Sequence, residues 1–344
     1  MHALLDAHGL DAFVLRRPGN VAWYSCGGRS HILAVQEIGV ADVVVRRDAD
    51  EVVTAVNEAP RLQSEELGAL AAQWTVLAWN EAREGALPRG RVGSDSAFGD
   101  AVLLAGEVEA ARRSLTDEER ERYRRLGRDA AEALTDAAHA IGPRDSEYTA
   151  AAQVARELIA RSIDPVVLLV AGASRLPHHR HALPGDEQIG AAVMLVACAR
   201  RHGLIASLTR FVSFGSLDPE VADKQQRLLA VDAAFNGATV PGARVGDVFA
   251  VGRDAYRDNG FGADEWRLHH QGGPTGYEPR DYVADAASGA TIERWQAFAW
   301  NPSVPSLKCE DTILAGDPPE VLTVDPRWPA QEVGGLARPL VLER

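Results

Sequence analysis

The first hundred residues alternate short apolar runs with polar turns, a pattern typical of a small α/β domain. Apolar runs predict strands over 11–16, 40–46, 51–56, 74–78 and 91–95. Helical spacing predicts helices over 3–10 and 63–73, and Arg17-Pro-Gly-Asn20 predicts a turn that ends the first strand. The pattern changes near residue 112, which predicts one domain over 1–112 and a second over 113–344.

The second part opens with two long amphipathic helices. Thr116 and Glu119 have the spacing of a capping box, and apolar residues then recur at helical intervals until Gly142. Ser146 is placed to cap a second helix over 145–161. A strand over 165–171 and helices over 218–235 and 245–259 follow. This succession predicts an α+β domain with helices on one face of a curved, mainly antiparallel sheet.

Composition and charge narrow the class of protein. The chain has 344 residues, 46% of them hydrophobic, enough for the cores of two domains. No apolar run is long enough to span a bilayer and the start lacks a secretory signal, so we expect a cytoplasmic protein without a membrane partner. Three cysteines cannot form a disulfide framework. A net charge of −13 argues against nucleic acid as a partner.

The histidines are the most informative side chains. His178, His179 and His181 lie in a turn-rich segment between two predicted strands. His269 and His270 open a nine-residue segment with three glycines, which would let the backbone approach a ligand closely. Because imidazole exchanges protons or binds metal near neutral pH, we expect a functional histidine in each group.

Several segments, in this order along the chain, resemble the creatinase and Xaa-Pro aminopeptidase family of pita-bread metallopeptidases. They are Val14–Tyr24, Thr116–Leu134, His202–Arg210, His270-Gln-Gly-Gly and Lys308–Leu314. The resemblance implies an α/β amino-terminal domain followed by a pita-bread catalytic domain. It also implies homodimers, which are common in the family.

Enzymes of this family hold two metal ions with two aspartates, one histidine and two glutamates. By the resemblance, these five positions fall on Val196, Ser207, His270, Asn301 and Glu310. Only His270 and Glu310 keep the family's ligand. The resemblance therefore implies a degenerate metal site, and we expect no metal or other cofactor.

The resemblance also assigns roles to the remaining site residues. The predicted catalytic residues are His181, His270, Tyr277 and Glu310. The predicted substrate-binding residues are His178, His179, Ser207, Arg210 and Asn301. Tyr277 replaces a family histidine as either a phenolic donor or a packing aromatic, and Arg210 is expected to pair with Glu310.

Creatinase, in the same family, hydrolyses a guanidino carbon–nitrogen bond without metal. This precedent predicts a metal-independent hydrolase or lyase for a small guanidino, amide or imino-acid substrate, with histidine as general acid or base and Glu310 holding a cationic group. One alternative is a catalytically silent relative that binds a small molecule or short peptide. The other is a metallohydrolase with a rebuilt zinc site. Its candidate ligands are His178, His179, His181, His270 and Glu310.

Overall fold

The chain folds into two compact units, and the computed structural model describes residues 1–344. The first unit is Met1–Arg113 together with His202–Leu204, and the second is Ser114–Arg201 together with Ile205–Arg344. Each unit has its own hydrophobic core.

The apolar runs of the first unit form a mixed six-stranded sheet. Its strands are β1 (Ala12–Leu15), β2 (Ala41–Val45), β3 (Glu51–Ala55), β4 (Gln73–Leu77), β5 (Val92–Ser94) and β6 (Val102–Leu103). The spatial order is β4-β3-β2-β1-β5-β6, antiparallel from β1 to β3 and parallel at the other pairs. The helices are α1 (His2–His8), α2 (Pro18–Tyr24), α3 (Ala59–Arg61) and α4 (Ala105–Ala111). This arrangement confirms the predicted α/β character.

Two local predictions for this unit are wrong. Arg17-Pro-Gly-Asn20 is not a turn, because Pro18 is the first residue of α2. At that position the fixed φ of proline suits the helix. The first helical residue has no acceptor for its N–H within the helix, so the missing N–H of proline costs no hydrogen bond. The helix predicted over 63–73 is instead split into short turns at Leu62–Glu66 and Gly68–Leu70, after which Ala71 has a left-handed φ of 50°.

Helices α5 (Asp117–Ala140) and α6 (Glu147–Ala160) open the second unit, as predicted. Thr116 and Glu119 form the capping box that begins α5, and Ser146 caps α6. Each cap satisfies a free backbone donor and contributes about 1 kcal/mol. The later helices are α7 (Pro219–Ala238) and α8 (Val245–Asp258). None of the helices combines the length and apolar character needed to cross a membrane.

Two four-stranded sheets and two hairpins complete the second unit. The strands are β7 (Asp164–Gly172), β8 (Ala192–Arg201), β9 (Leu204–Ser213), β10 (Gly272–Thr275), β11 (Ala297–Trp300), β12 (Ser303–Val304), β13 (Leu307–Lys308), β14 (Asp311–Leu314), β15 (Glu320–Val321), β16 (Ala330–Val333), β17 (Leu336–Pro339) and β18 (Leu342–Glu343). The larger sheets have the orders β18-β9-β8-β7 and β10-β11-β14-β15, and β12-β13 and β16-β17 form the hairpins. Most pairings are antiparallel, and β18 with β9 is parallel.

The glycines after His270 have a structural explanation. A Cβ on Gly272 would lie 2.1 Å from the carbonyl oxygen of Ala299 in the neighbouring strand β11, and Gly272 has a φ of 90°. Gly273 has a φ of 148°, and its Cβ would approach the backbone of Tyr282 to 2.8 Å. These two glycines thus allow close packing of β10 within the protein. They are not evidence for close approach of a ligand.

Candidate functional site

Three imidazole rings come together between two loops of the second unit. His181 lies between β7 and β8, and His269 and His270 lie just before β10. The Nε2 atoms of His181 and His269 are 2.8 Å apart, and the rings of His269 and His270 stack with centroids 4.6 Å apart. One ring nitrogen from each of the three lies within 4.8 Å of the other two. We call these residues the histidine cluster.

Gln271 fixes the backbone that carries two of these rings. Its amide nitrogen donates to the carbonyls of Trp266 at 2.8 Å and of His269 at 2.6 Å. Its amide oxygen accepts a hydrogen bond from the hydroxyl of buried Tyr256 at 2.9 Å. The side chain of Gln271 is itself buried, so His269 and His270 are presented from a rigid support.

The surroundings favour the neutral form of all three imidazoles. Burial, followed by the charge of Lys308, lowers the pKa of His269 to about 2. Burial, followed by the charge of Arg280, lowers the pKa of His270 to about 4. The pKa of His181 is also lowered, first by burial and then by Lys308. At neutral pH the rings are therefore neutral and offer lone pairs, while the low pKa values make His269 and His270 weak bases.

Glu310 is held by two cations, and its charge acts on all three histidines. Its Oε1 accepts a hydrogen bond from Arg280 Nη2 at 2.7 Å. Its Oε2 lies 2.8 Å from Lys308 Nζ and accepts from the Thr209 hydroxyl at 3.0 Å. The side chains of Glu310 and Lys308 are 2% and 4% exposed. We call Lys308, Glu310 and Arg280 the ionic triad.

The ionic triad has an unbalanced charge. Burial acts to raise the pKa of Glu310, but Lys308 and Arg280 outweigh it and hold that pKa at about 2. The carboxylate is therefore ionised at neutral pH and compensates one of the two cations. Both oxygens of Glu310 already bind cations of the protein, so the geometry does not favour the expected role of Glu310 in holding a cationic substrate, and that role stays a prediction.

Arg280 also contacts Ser207. Its Nη1 lies 3.3 Å from the Ser207 hydroxyl oxygen, which accepts this hydrogen bond and donates its own proton to Cys198 Sγ at 3.2 Å. The Nε of Arg280 is buried and makes no hydrogen bond. Ser207 thus lies next to the ionic triad, although its hydroxyl is engaged within the protein, and its predicted contact with substrate stays a prediction.

The expected pairing of Arg210 with Glu310 is wrong. Arg210 binds the next carboxylate along the chain, Asp311, at 3.0 Å, and also donates to the carbonyls of Thr209 and Thr323. Successive side chains of an extended chain point to opposite faces, so Glu310 faces Thr209 while Asp311 faces Arg210. The Arg210 side chain is 3% exposed and engaged by Asp311, and the substrate-binding role predicted for it stays a prediction.

Tyr277 and Asn301 are both buried. The Tyr277 hydroxyl donates to the Glu119 carboxylate at 2.6 Å and so ties β10 to the start of α5. Its role as a catalytic donor stays a prediction. Asn301 follows β11, where its N–H donates to the carbonyl of Gln271 at 3.0 Å. Its amide oxygen is buried without a hydrogen-bond partner, which leaves an acceptor free for a ligand.

His178 and His179 are exposed and lie outside the histidine cluster. His179 lines a small cavity that Lys308 also lines, together with Leu176 and Met194. The substrate-binding role of both histidines stays a prediction.

The donor set does not fit the two-metal centre that the resemblance implies for the family. Val196 has no lone pair and is buried in the apolar core, and the hydroxyl of Ser207 is already bonded. Both oxygens of Glu310 bind cations of the protein. A divalent ion at this carboxylate would have to break these contacts and lie beside two positive charges.

Sequence reasoning missed three members of this site. Arg280 lies in a loop and has no local pattern that distinguishes it. Lys308 had a usable signal, because it is one of only two lysines in the chain and lies two positions before Glu310, on the same face of an extended segment. His269 belonged to the recognised histidine pair, but His270 alone was selected through the resemblance.

Comparison with known proteins identifies one family. Residues 121–317, more than half of the chain, match the description Metallopeptidase family M24. None of the curated proteins compared with the chain matches it significantly.

Solved structures share the fold over nearly the whole chain. The prolidase from Pyrococcus furiosus has a TM-score of 0.77 at 16% identity, covering 95% of this chain and 100% of that one. Dipeptidase PepE from Mycobacterium ulcerans has a TM-score of 0.77 at 16% identity, covering 99% and 96%. The N-terminal domain of FACT complex subunit SPT16 from chickpea has a TM-score of 0.64 at 13% identity, covering 94% of each chain. At these identities the likeness establishes the pita-bread fold, as predicted.

Proposed function

Since this chain belongs to metallopeptidase family M24, we propose that it is a peptidase-like hydrolase or lyase that cleaves a small carbon–nitrogen compound without the family's two-metal centre. The observation that carries this proposal is the ionic triad. Glu310, which the resemblance places at a metal-ligand position, is bound by Lys308 at 2.8 Å and by Arg280 at 2.7 Å. Two fixed cations thus supply positive charge at that carboxylate.

The charge of the triad favours a substrate with an anionic group, such as the carboxylate of an amide or imino acid. One positive charge is left after Glu310 is compensated. The Nε–H of Arg280 has no partner in the protein and can donate a hydrogen bond to a substrate carboxylate. The amide oxygen of Asn301 also has no partner and can accept a hydrogen bond from an N–H of the substrate. Fixed donors of this kind can also stabilise negative charge that develops during cleavage.

The histidine cluster supports proton transfer in this reaction. His181 is exposed and neutral at neutral pH, so it is available to take the proton of an attacking water or of the substrate. The 2.8 Å contact between the Nε2 atoms of His181 and His269 requires one ring to donate to the other. His269 can thereby orient the ring of His181, which takes the proton and returns it to the leaving nitrogen.

A second candidate function is binding without turnover. The ionic triad satisfies most of its own hydrogen bonds, which is what a cleft that only binds a small molecule or short peptide would also show. The fold also occurs in a protein described as a subunit of the FACT complex. The two candidates differ in whether a bound ligand is converted.

The test begins with a thermal-shift screen of small amides, imino acids and guanidino compounds with and without a carboxylate. Stabilising compounds are then assayed for cleavage with and without a chelator. We expect carboxylates to be preferred and turnover to be insensitive to the chelator. His181→Ala should lower turnover by about 10²–10⁴-fold, the usual contribution of a general base.

His139→Ala is the control, because His139 is exposed in α5 and lies outside both the cluster and the predicted substrate-binding residues. Its turnover should stay close to that of the wild type. Two tightly bound metal ions per chain, or cleavage abolished by the chelator, would overturn the proposal. A ligand that binds equally well to wild type and His181→Ala and is never cleaved would support the binding-only candidate.

A further inference from the structure

We infer that the histidine cluster is a site for one transition-metal ion of the zinc, cobalt or nickel type, separate from the carboxylate positions of the family. His181, His269 and His270 each place a ring nitrogen within 4.8 Å of the other two. In a tetrahedral site with metal–nitrogen bonds of about 2.0–2.1 Å, the nitrogens are about 3.3 Å apart. The nitrogen atoms of the cluster lie around this value, from 2.8 Å between the Nε2 atoms of His181 and His269 up to a limit of 4.8 Å.

Unpartnered nitrogen atoms point to a missing group at the cluster. The Nδ1 atoms of His269 and His270 are both buried and make no hydrogen bond. The Nε2 atoms of His181 and His269 share one proton across 2.8 Å, so neither tautomer of His269 satisfies its Nδ1. Buried polar atoms usually have a partner, and an ion at the cluster would give these two nitrogen atoms one.

The ligand chemistry selects the class of ion. Imidazole nitrogen suits zinc, cobalt, nickel and copper, whereas magnesium and calcium require oxygen ligands. Glu310 cannot complete the set, because its Oε1 accepts from Arg280 and its Oε2 contacts Lys308 and Thr209. The ion would therefore have three protein ligands and one open position, the pattern of reactive rather than structural zinc sites.

The ionic triad limits the affinity of this site. Lys308 and Arg280 oppose a divalent ion, and Glu310 offsets only one of them. The site should therefore bind less tightly than a closed structural zinc site. Lys308→Met removes this charge and should therefore increase the affinity of the cluster for the metal ion. A metal site elsewhere on the surface would not respond to this substitution.

An ion at the cluster also competes with the proposed proton transfer, since both use the same lone pairs. This consequence rests on the proposed function, whereas metal binding itself does not. Zinc should accordingly inhibit turnover in the concentration range in which it binds.

The experiment uses the full-length chain, free of any histidine tag and stripped of metal. Cobalt chloride is titrated while the visible absorption of tetrahedral cobalt is recorded, and zinc chloride is titrated by calorimetry. We expect one ion per chain. His181→Ala should weaken binding at least about tenfold, by analogy with the 10–100-fold losses seen on changing groups that merely support a ligand.

His178→Ala should bind like the wild type, and unfolding curves should show that both variants are folded. Absence of binding would overturn the inference, as would an affinity unchanged in His181→Ala. Equal loss in His178→Ala would overturn it too, because it would place the ion on the exposed loop. None of these readouts depends on catalysis, so failure here leaves the proposed function standing.

Discussion

Two buried ionic clusters lie on opposite faces of one short segment, and they differ in charge balance. On one face Asp311 lies 3.0 Å from Arg210 and 2.8 Å from Arg338, and Arg338 contacts Asp232 at 2.5 Å. That cluster has two cations and two carboxylates, all almost completely buried. On the other face Glu310 contacts both Lys308 and Arg280.

This difference in charge is the basis of the proposed function. In the balanced cluster the charges of the four side chains cancel. The ionic triad has an excess positive charge, an unpartnered Arg280 Nε and three neutral imidazoles within its field. Unequal charge at a buried site is therefore the feature on which the proposed ligand site rests.

The largest expected effect comes from breaking the balanced cluster. Arg338→Met leaves Asp232 and Asp311 buried with only Arg210 to compensate them. Removal of one partner from a buried ion pair costs about 3–5 kcal/mol of unfolding free energy. Urea denaturation measures this loss. Arg91→Met is the control, because the ion pair of Arg91 with Asp11 is solvent-exposed. The urea midpoint of this variant should hardly differ from that of the wild type. Similar midpoints for the two variants would contradict the structural role.

Glu310→Gln tests the unbalanced cluster through pH. The Glu310 pKa is about 2, below its ordinary value of 4.5, so the ionised carboxylate stabilises the fold at high pH. The shift corresponds to about 3 kcal/mol, fully present above about pH 5 and lost as the pH falls toward 2. The difference in unfolding free energy between wild type and Glu310→Gln should therefore fall to about half by pH 3. A difference that is constant with pH would contradict the ionised triad.

Lys308→Met should have the smallest effect on stability, because it brings the triad to charge balance while Glu310 keeps Arg280 and Thr209. Its effect should instead appear in the histidines. Lys308 is among the groups that lower the pKa of each residue in the histidine cluster, so all three pKa values should rise. Histidine resonances followed by NMR as a function of pH measure this. Lys224→Met, the other lysine, should leave them unchanged.

Sequence reasoning was most successful for features that depend on residues close together along the chain, such as helix caps. Thr116, Glu119 and Ser146 begin helices because caps act over three residues. The site was only partly predictable. His270 and Glu310 followed from the resemblance, but the partners of Glu310 depend on where the loop carrying Arg280 meets residue 310. Arg210 was assigned to the wrong carboxylate because the face on which a side chain lies depends on strand register.

That register has a consequence for folding. Glu310 and Asp311 are adjacent, yet each meets a different set of cations, through Thr209 and Arg210 of the same strand, β9. If this segment slipped by one residue during folding, each carboxylate would turn away from its own cations and toward the opposite face. Buried arginines would then lose their counter-charges, at a cost well above that of a shifted apolar pair. Misaligned pairings of this segment are therefore disfavoured by charge as well as by the loss of apolar contacts.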